Sequence, residues 1–150
     1  LYPEPRVAAG LALVRRRLAT AAIDLSDGLS TDLAHLCRES GVAAEIDQAR
    51  LPLHPLAAAT SEGAAHALHL ALNGGEDYEL LFSAPAAVRV PRRLAGVPVT
   101  QIGRILRPAP RQASPIVLIA PNGTRRPLVP GGWEHLKPDG PRPDPPARRR

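Results

Sequence analysis

Ala21-Ala22-Ile23-Asp24-Leu25-Ser26-Asp27-Gly28-Leu29 decides the fold: an apolar run passes into a turn carrying two carboxylates and a hydroxyl, and the next apolar residue opens a helix. Ala21 to Leu25 reads as a short buried strand. Ser26 or Asp27 then caps the helix, since short polar side chains accept hydrogen bonds from the unpaired N–H groups of a first turn. Leu29, Leu33, Leu36 and Cys37 recur at i, i+4, i+7 and i+8, one face of a helix that stops at Gly41.

Upstream, Val7, Leu11, Leu13, Val14 and Leu18 suit one face of a helix ending near Arg17, with Arg15-Arg16-Arg17 favouring the negative end of its dipole. Downstream, Val42 to Ile46 reads as a strand, Leu51 to Leu56 as a turn-rich connection and Glu62 to Leu72 as an alanine-rich helix that ends near Asn73-Gly74-Gly75. Tyr78, Leu80 and Phe82 alternate with Glu79, Leu81 and Ser83, which predicts a strand over Asp77 to Ser83. A helix over Ala86 to Leu94, strands over Thr100 to Leu106 and Ile116 to Ala120, and a hairpin turn at Pro121-Asn122-Gly123-Thr124 complete the pattern. Strands mixed with helices, one pair of them in a hairpin, argue for an α+β layered domain with a mixed sheet.

The 150 residues suffice for one domain with its own core. With one Phe, one Trp and two Tyr, aliphatic side chains must fill that core. The net charge is +5, but Lys137 to Arg150 carries five bases against Asp139 and Asp144, which leaves about +2 for the rest. That balance gives no concentrated basic face for a nucleic-acid backbone, so no nucleic-acid partner is expected. From Pro138 onward five prolines and mixed charges leave little to bury, and residues 137–150 are expected to form a disordered tail. Cys37 has no second cysteine to pair with, and no apolar run approaches the length of a membrane span, so the expected setting is cytoplasmic with no membrane partner. The chain starts at Leu1 and contains no Met, which reads as a piece of something longer.

Chemistry concentrates in two acidic motifs. Asp24-Leu25-Ser26-Asp27-Gly28 sets two carboxylates three residues apart around a hydroxyl at a strand-to-helix junction. Helix N–H groups attract phosphate oxygens, and hard carboxylate oxygens suit Mg²⁺, which takes one or two protein carboxylates and completes its shell with water and phosphate. Plain helix capping accounts for Ser26 and Asp27 equally well, but not for Asp24. Gly74-Gly75-Glu76-Asp77-Tyr78-Glu79 puts three acids in four positions. It reads either as an exposed acidic turn or as half of a site whose charges need a cation, since two like charges about 4 Å apart repel by roughly 4 kcal/mol at an effective dielectric near 20. His66 and His69 share a helix face without completing a zinc site, and Cys37 continues an apolar stripe.

Together, in this order and spacing, these segments resemble the thiamine-monophosphate kinases, within the superfamily of ATP-using enzymes related to aminoimidazole ribonucleotide synthetase. The residues that carry the resemblance are Ala22 to Leu29 with Asp32-Leu33, Gly41-Val42, Leu51-Pro52, Gly74 to Leu80, Ile102-Gly103 and Gly132-Trp133-Glu134-His135. It implies a largely antiparallel mixed sheet packed by helices, with residues 1–136 forming a C-terminal kinase domain. It also implies transfer of the γ-phosphoryl group of ATP to thiamine monophosphate, with Asp24 and Asp27 as Mg²⁺ ligands, Ser26 in contact with ATP, and Glu76 and Trp133 holding the thiamine phosphate. Thiazolium is a permanent cation, which an indole face holds for about 0.5–2 kcal/mol. No side chain is expected to act as a nucleophile, because phosphoryl transfer rests on positioning and charge neutralisation. The N-terminal domain of the family, with most of its metal-binding aspartates and its dimer-forming sheet, has no counterpart in these residues, so the chain alone is expected to be inactive and the whole protein a homodimer through that domain. Two alternatives remain: another ATP-dependent enzyme of the superfamily, or a non-catalytic basic module that binds RNA or an acidic partner.

Overall fold

The computed structural model describes residues 3–59, 63–108 and 114–132. Its first helix, α1 (Val7–Arg15), ends because Arg17 takes φ +51°, and Arg17 N–H and Leu18 N–H then close onto the Val14 and Leu13 carbonyls at 3.0 Å each. This is the reversed-turn helix stop that glycine normally supplies. α2 (Leu29–Glu39) ends the same way at Gly41, φ +62°, where Val42 N–H reaches the Cys37 carbonyl at 2.9 Å.

β1 (Ala21–Asp24) pairs antiparallel with β3 (Leu80–Ser83), Asp24 standing opposite Leu80. β2 (Ala43–Asp47) lies inside a four-stranded sheet of order β6-β2-β7-β8. There it runs antiparallel to β6 (Gly103–Leu106) and parallel to β7 (Ile116–Ile119), and β8 (Arg125–Pro127) returns antiparallel beside β7. Between β2 and β3 come a 3₁₀ turn (Gln48–Arg50), α3 (Pro55–Ala58) and α4 (Gly63–Asn73). β4 (Arg93–Leu94) and β5 (Val97–Pro98) form a small hairpin. The fold is α+β with a mixed sheet, as the pattern of elements predicts, and its strand pairs are largely antiparallel, as the resemblance implies.

Two aliphatic clusters hold it together. The larger packs Leu29, Leu33, Leu36 and Cys37 of α2 against Ala44 and Ile46 of β2, Ile116 and Leu118 of β7, Leu72 and Leu128. The smaller gathers Ala9, Leu13, Leu18 and Leu94, with Phe82, Val88, Val97 and Val99 around them. Cys37 is fully buried, in keeping with its place in the apolar stripe.

Several local expectations give way. On α1, Ala9 and Leu13 face the core while Val7, Leu11 and Val14 are exposed, so the buried face is narrower than the apolar spacing suggested. β1 is an alternating half-covered strand ending at Asp24. β3 starts only at Leu80, since Glu76 and Tyr78 both adopt positive φ, +65° and +49°. Residues 86–94 form a turn and the first arm of the β4–β5 hairpin, not a helix. Pro91 removes a backbone donor there and disfavours helical geometry at Val90. An open groove of about 1590 Å³, lined by Leu33, Phe82 and Val99 among others, runs past this segment. The expected tail, residues 137–150, and Trp133 lie outside the described residues.

Candidate functional site

The turn after β1 is held from inside. Asp32, 3% exposed in the first turn of α2, accepts hydrogen bonds from the N–H groups of Ser26 and Asp27 through Oδ2, both at 3.1 Å. The expected cap is therefore corrected: Gly28 occupies the N-cap position at φ +104°, without a side-chain cap bond, and its carbonyl accepts from Thr31 and Asp32 N–H at 3.0 Å. Only glycine fits there, because a Cβ would stand 2.9 Å from the Asn73 carbonyl carbon in a backbone conformation that side chains avoid. The expected phosphate cradle is also changed at Ser26 and Asp27, whose N–H groups already serve Asp32.

The second acidic motif lies alongside. Glu76 N–H donates to the Ser26 carbonyl at 2.8 Å, Tyr78 N–H to the Leu25 carbonyl at 2.8 Å, and Leu25 N–H to the Glu79 carbonyl at 2.9 Å. Two segments fifty residues apart in sequence thus share one edge. Asp24 and Glu76 are exposed, Ser26 and Asp27 half-buried. Glu79 is drawn away by Arg6, whose Nε and Nη2 meet its carboxylate at 3.0 and 2.6 Å. Among the described residues, no cation is paired with Asp24 or Glu76.

A third segment joins them. Gly131 N–H donates to Ser30 Oγ and Gly132 N–H to Thr31 Oγ1, both at 3.1 Å, and Ser30 Oγ donates to Asn73 Oδ1 at 2.7 Å. A Cβ on Gly132 would overlap the Asp27 carbonyl. Gly131 and Gly132 therefore lie against the Asp27 turn and α2, and Trp133 lies outside the described residues. The groove of the fold is a different feature, lined by none of Asp24, Ser26, Asp27 or Glu76.

Electrostatics follow from this crowding. Burial pushes the Asp32 carboxyl up, and the Asp27 charge adds to it, against the opposing backbone hydrogen bonds. Partial desolvation, reinforced by Glu79, pushes Asp77 up. Among the described residues no group of three or more His, Cys, Asp or Glu side chains is arranged to hold a metal. Asp24 and Asp27 fit Mg²⁺ only as a partial set of hard oxygen donors, the kind that leaves positions for water and phosphate.

Asp32, Ser30, Thr31 and Asn73 had no role assigned from sequence. Their signal was weak: an acid and two hydroxyls in a first turn read as ordinary dipole and capping partners. What distinguishes Ser30, Thr31 and Asp32 is full burial of polar side chains in the first turn of a helix, while Asn73 is half-buried at the end of α4.

No family model matches the chain. The thiamine-monophosphate kinase of Escherichia coli (strain K12) is 46% identical over 109 residues, which cover 70% of this chain and 33% of the relative. The solved structure of thiamine-monophosphate kinase from Stenotrophomonas maltophilia K279a superposes with a TM-score of 0.61 at 38% identity, covering 77% of this chain and 35% of that one. That of AaThiL complexed with AMPPCP and TMP gives 0.62 at 31% identity, covering 83% and 37%. The chain spans about a third of the length of the curated relatives it matches. Sequence and fold agree, and the chain is a homologue of part of the thiamine-monophosphate kinases.

Proposed function

We propose that the chain is the C-terminal domain, residues 1–136, of an enzyme that transfers the γ-phosphoryl group of ATP to thiamine monophosphate and yields thiamine diphosphate. Asp24 and Asp27 would hold Mg²⁺, which on binding neutralises polyphosphate charge. Ser26 contacts the nucleotide, while Glu76 and Trp133 hold the thiamine phosphate, carboxylate and indole both suiting a thiazolium cation. The observation that carries this reading is the 2.8 Å hydrogen bond from Glu76 N–H to the Ser26 carbonyl, which sets the two acidic motifs side by side. The AMPPCP and TMP bound by AaThiL are the matching ligand classes in a relative. Catalysis of this kind is positioning and charge neutralisation, and the domain supplies both without a nucleophile.

The rest of the proposal concerns what a third of the relatives' length cannot contain. The remaining aspartates and the homodimer interface belong to an N-terminal domain, the setting is the cytoplasm, and the isolated chain has no kinase activity. A steady-state assay for ATP-dependent formation of thiamine diphosphate checks the last point, and measurable turnover by this chain alone would refute it. The substrate role is checked by titrating thiamine monophosphate against the fluorescence of Trp133, the single Trp of the chain. Saturable quenching is expected, with Glu76→Ala weakening the apparent affinity by about 2- to 30-fold, the equivalent of about 0.5–2 kcal/mol. Unchanged affinity in that variant would count against the assignment.

A further inference from the structure

We propose that Asp32 is a positioning residue of the candidate metal turn: its buried carboxylate fixes the main chain of Ser26 and Asp27, and so sets how the Asp24 and Asp27 carboxylates are presented to a cation. The inference deepens the reading of Asp24 and Asp27 as Mg²⁺ ligands and rests on it. Asp32 is 3% exposed, and among the described residues no cation is paired with it. What its Oδ2 meets instead are the N–H groups of Ser26 and Asp27, both at 3.1 Å. A buried carboxylate is costly unless such bonds satisfy it. Leu29 and Leu36, one turn before and one turn after it on α2, both belong to the core. An apolar side chain would therefore serve packing alone at least as well, since replacing buried charge by apolar groups of similar volume is often neutral or stabilising. What Asp32 adds is order in the turn.

The turn is gripped from two sides. On one, the second acidic motif donates main-chain N–H groups, Glu76 to the Ser26 carbonyl and Tyr78 to the Leu25 carbonyl, each at 2.8 Å. On the other, α2 supplies Asp32. Ser26 is thus held at both its N–H and its carbonyl, and Asp32 is the partner that a substitution can remove, because the other bonds run from main chain to main chain. With the N–H groups of Ser26 and Asp27 taken, the turn offers carboxylate oxygens in place of N–H donors, which suits a cation. Groups that orient metal ligands without touching the metal commonly cost about 10- to 100-fold in affinity when lost.

Two measurements on the ¹⁵N-labelled chain test this: amide hydrogen exchange, and titration with Mn²⁺ alone, read from paramagnetic broadening of the amides of residues 24–27. Mn²⁺ shares the preference of Mg²⁺ for hard oxygen donors. Asp32→Ala and Asp32→Leu are expected to speed exchange at Ser26, Asp27 and Glu76 by about tenfold or more relative to Leu118, a buried residue inside the four-stranded sheet. The same variants should weaken Mn²⁺ binding by about tenfold or more. Asp32→Asn, which keeps an acceptor oxygen of the same reach, should return both readings to within about threefold of the parent. Equal acceleration at Ser26 and Leu118, parent-like Mn²⁺ binding in a loosened turn, or an Asn variant as damaged as the Ala variant overturns the proposal. Asp32→Leu decides the matter where Asp32→Ala fails to fold, as judged by circular dichroism. Failure of both assigns Asp32 to the fold as a whole and equally overturns it. The metal reading fails separately: no broadening in the parent, with the turn loosened in the variants, removes the Mg²⁺ role and leaves Asp32 as the residue that shapes the turn. Normal broadening with an unloosened turn does the reverse.

Discussion

Glu45 and Glu76 are the same side chain put to opposite uses. Glu45 sits buried on β2, and Arg104 of β6 meets its Oε1 at 2.8 Å while Arg125 of β8 meets its Oε2 at 2.5 Å. Its charge is consumed by the fold. Glu76 sits exposed at φ +65°, its N–H bonded to the Ser26 carbonyl, with no cation paired to it among the described residues. An acid that arrives with its own arginines tells us about the sheet. An exposed acid without one stays available to a positively charged ligand.

The largest effect expected is on stability. Removing both arginines, Arg104→Ala/Arg125→Ala, leaves the Glu45 carboxylate buried without partners. The expected loss is about 2 kcal/mol in urea unfolding, below the roughly 3–5 kcal/mol for breaking a fully buried pair because both guanidinium groups are more than half exposed. Glu76→Gln is expected to change unfolding by less than about 0.5 kcal/mol while weakening thiamine monophosphate binding. Equal destabilisation by the two changes would erase the distinction between fold acid and site acid.

The pH profile separates the two regions next. Burial alone would raise the Glu45 carboxyl, but hydrogen bonding and charge from Arg125 and Arg104 outweigh it and hold it below its ordinary 4.5. Its contribution is therefore present above that value and is lost as pH falls through the lower folded value. Asp32 behaves oppositely. Its folded carboxyl is raised above 3.8, so the native state binds the extra proton and stability falls as pH rises between 3.8 and the raised value. Unfolding midpoints against pH should show the acid loss vanish in Arg104→Ala/Arg125→Ala, and the second decline flatten in Asp32→Asn. A profile unaltered by either change would contradict these assignments.

The smallest effect concerns backbone strain. A non-glycine residue at positive φ costs about 1 kcal/mol or more, against about 0.4–1 kcal/mol of extra unfolded-state entropy for glycine. Glu76→Gly is thus expected to stabilise the chain by a few tenths of a kcal/mol at the expense of substrate binding. Destabilisation by more than about 1 kcal/mol would mean that the Glu76 carboxylate serves the fold after all.

The sequence by itself determined what short-range chemistry controls. The strand-turn-helix over residues 21–41, the glycine stop at Gly41, the Asn122-Gly123 hairpin and the aliphatic core follow from periodicity and turn residues within a window of a few positions. The kinship of the two acidic motifs was legible too, since their spacing along the chain is itself a pattern. It failed where the deciding partner was remote or a single residue vetoed its neighbours: Pro91 inside an apparent helix, positive φ at Glu76 and Tyr78 inside an apparent strand.

Tertiary structure alone decided who holds the site together. Ser26 and Asp27 read as helix caps, yet their own N–H groups are claimed by Asp32, and Gly28 takes the cap position instead. Arg6 withdraws Glu79 from the acidic cluster across seventy-three residues, and Ser30 and Thr31 reach a glycine pair one hundred and one residues away. Hydrogen bonds span about 3 Å whatever the distance along the chain, so which donor meets which acceptor is settled only when packing brings the segments together.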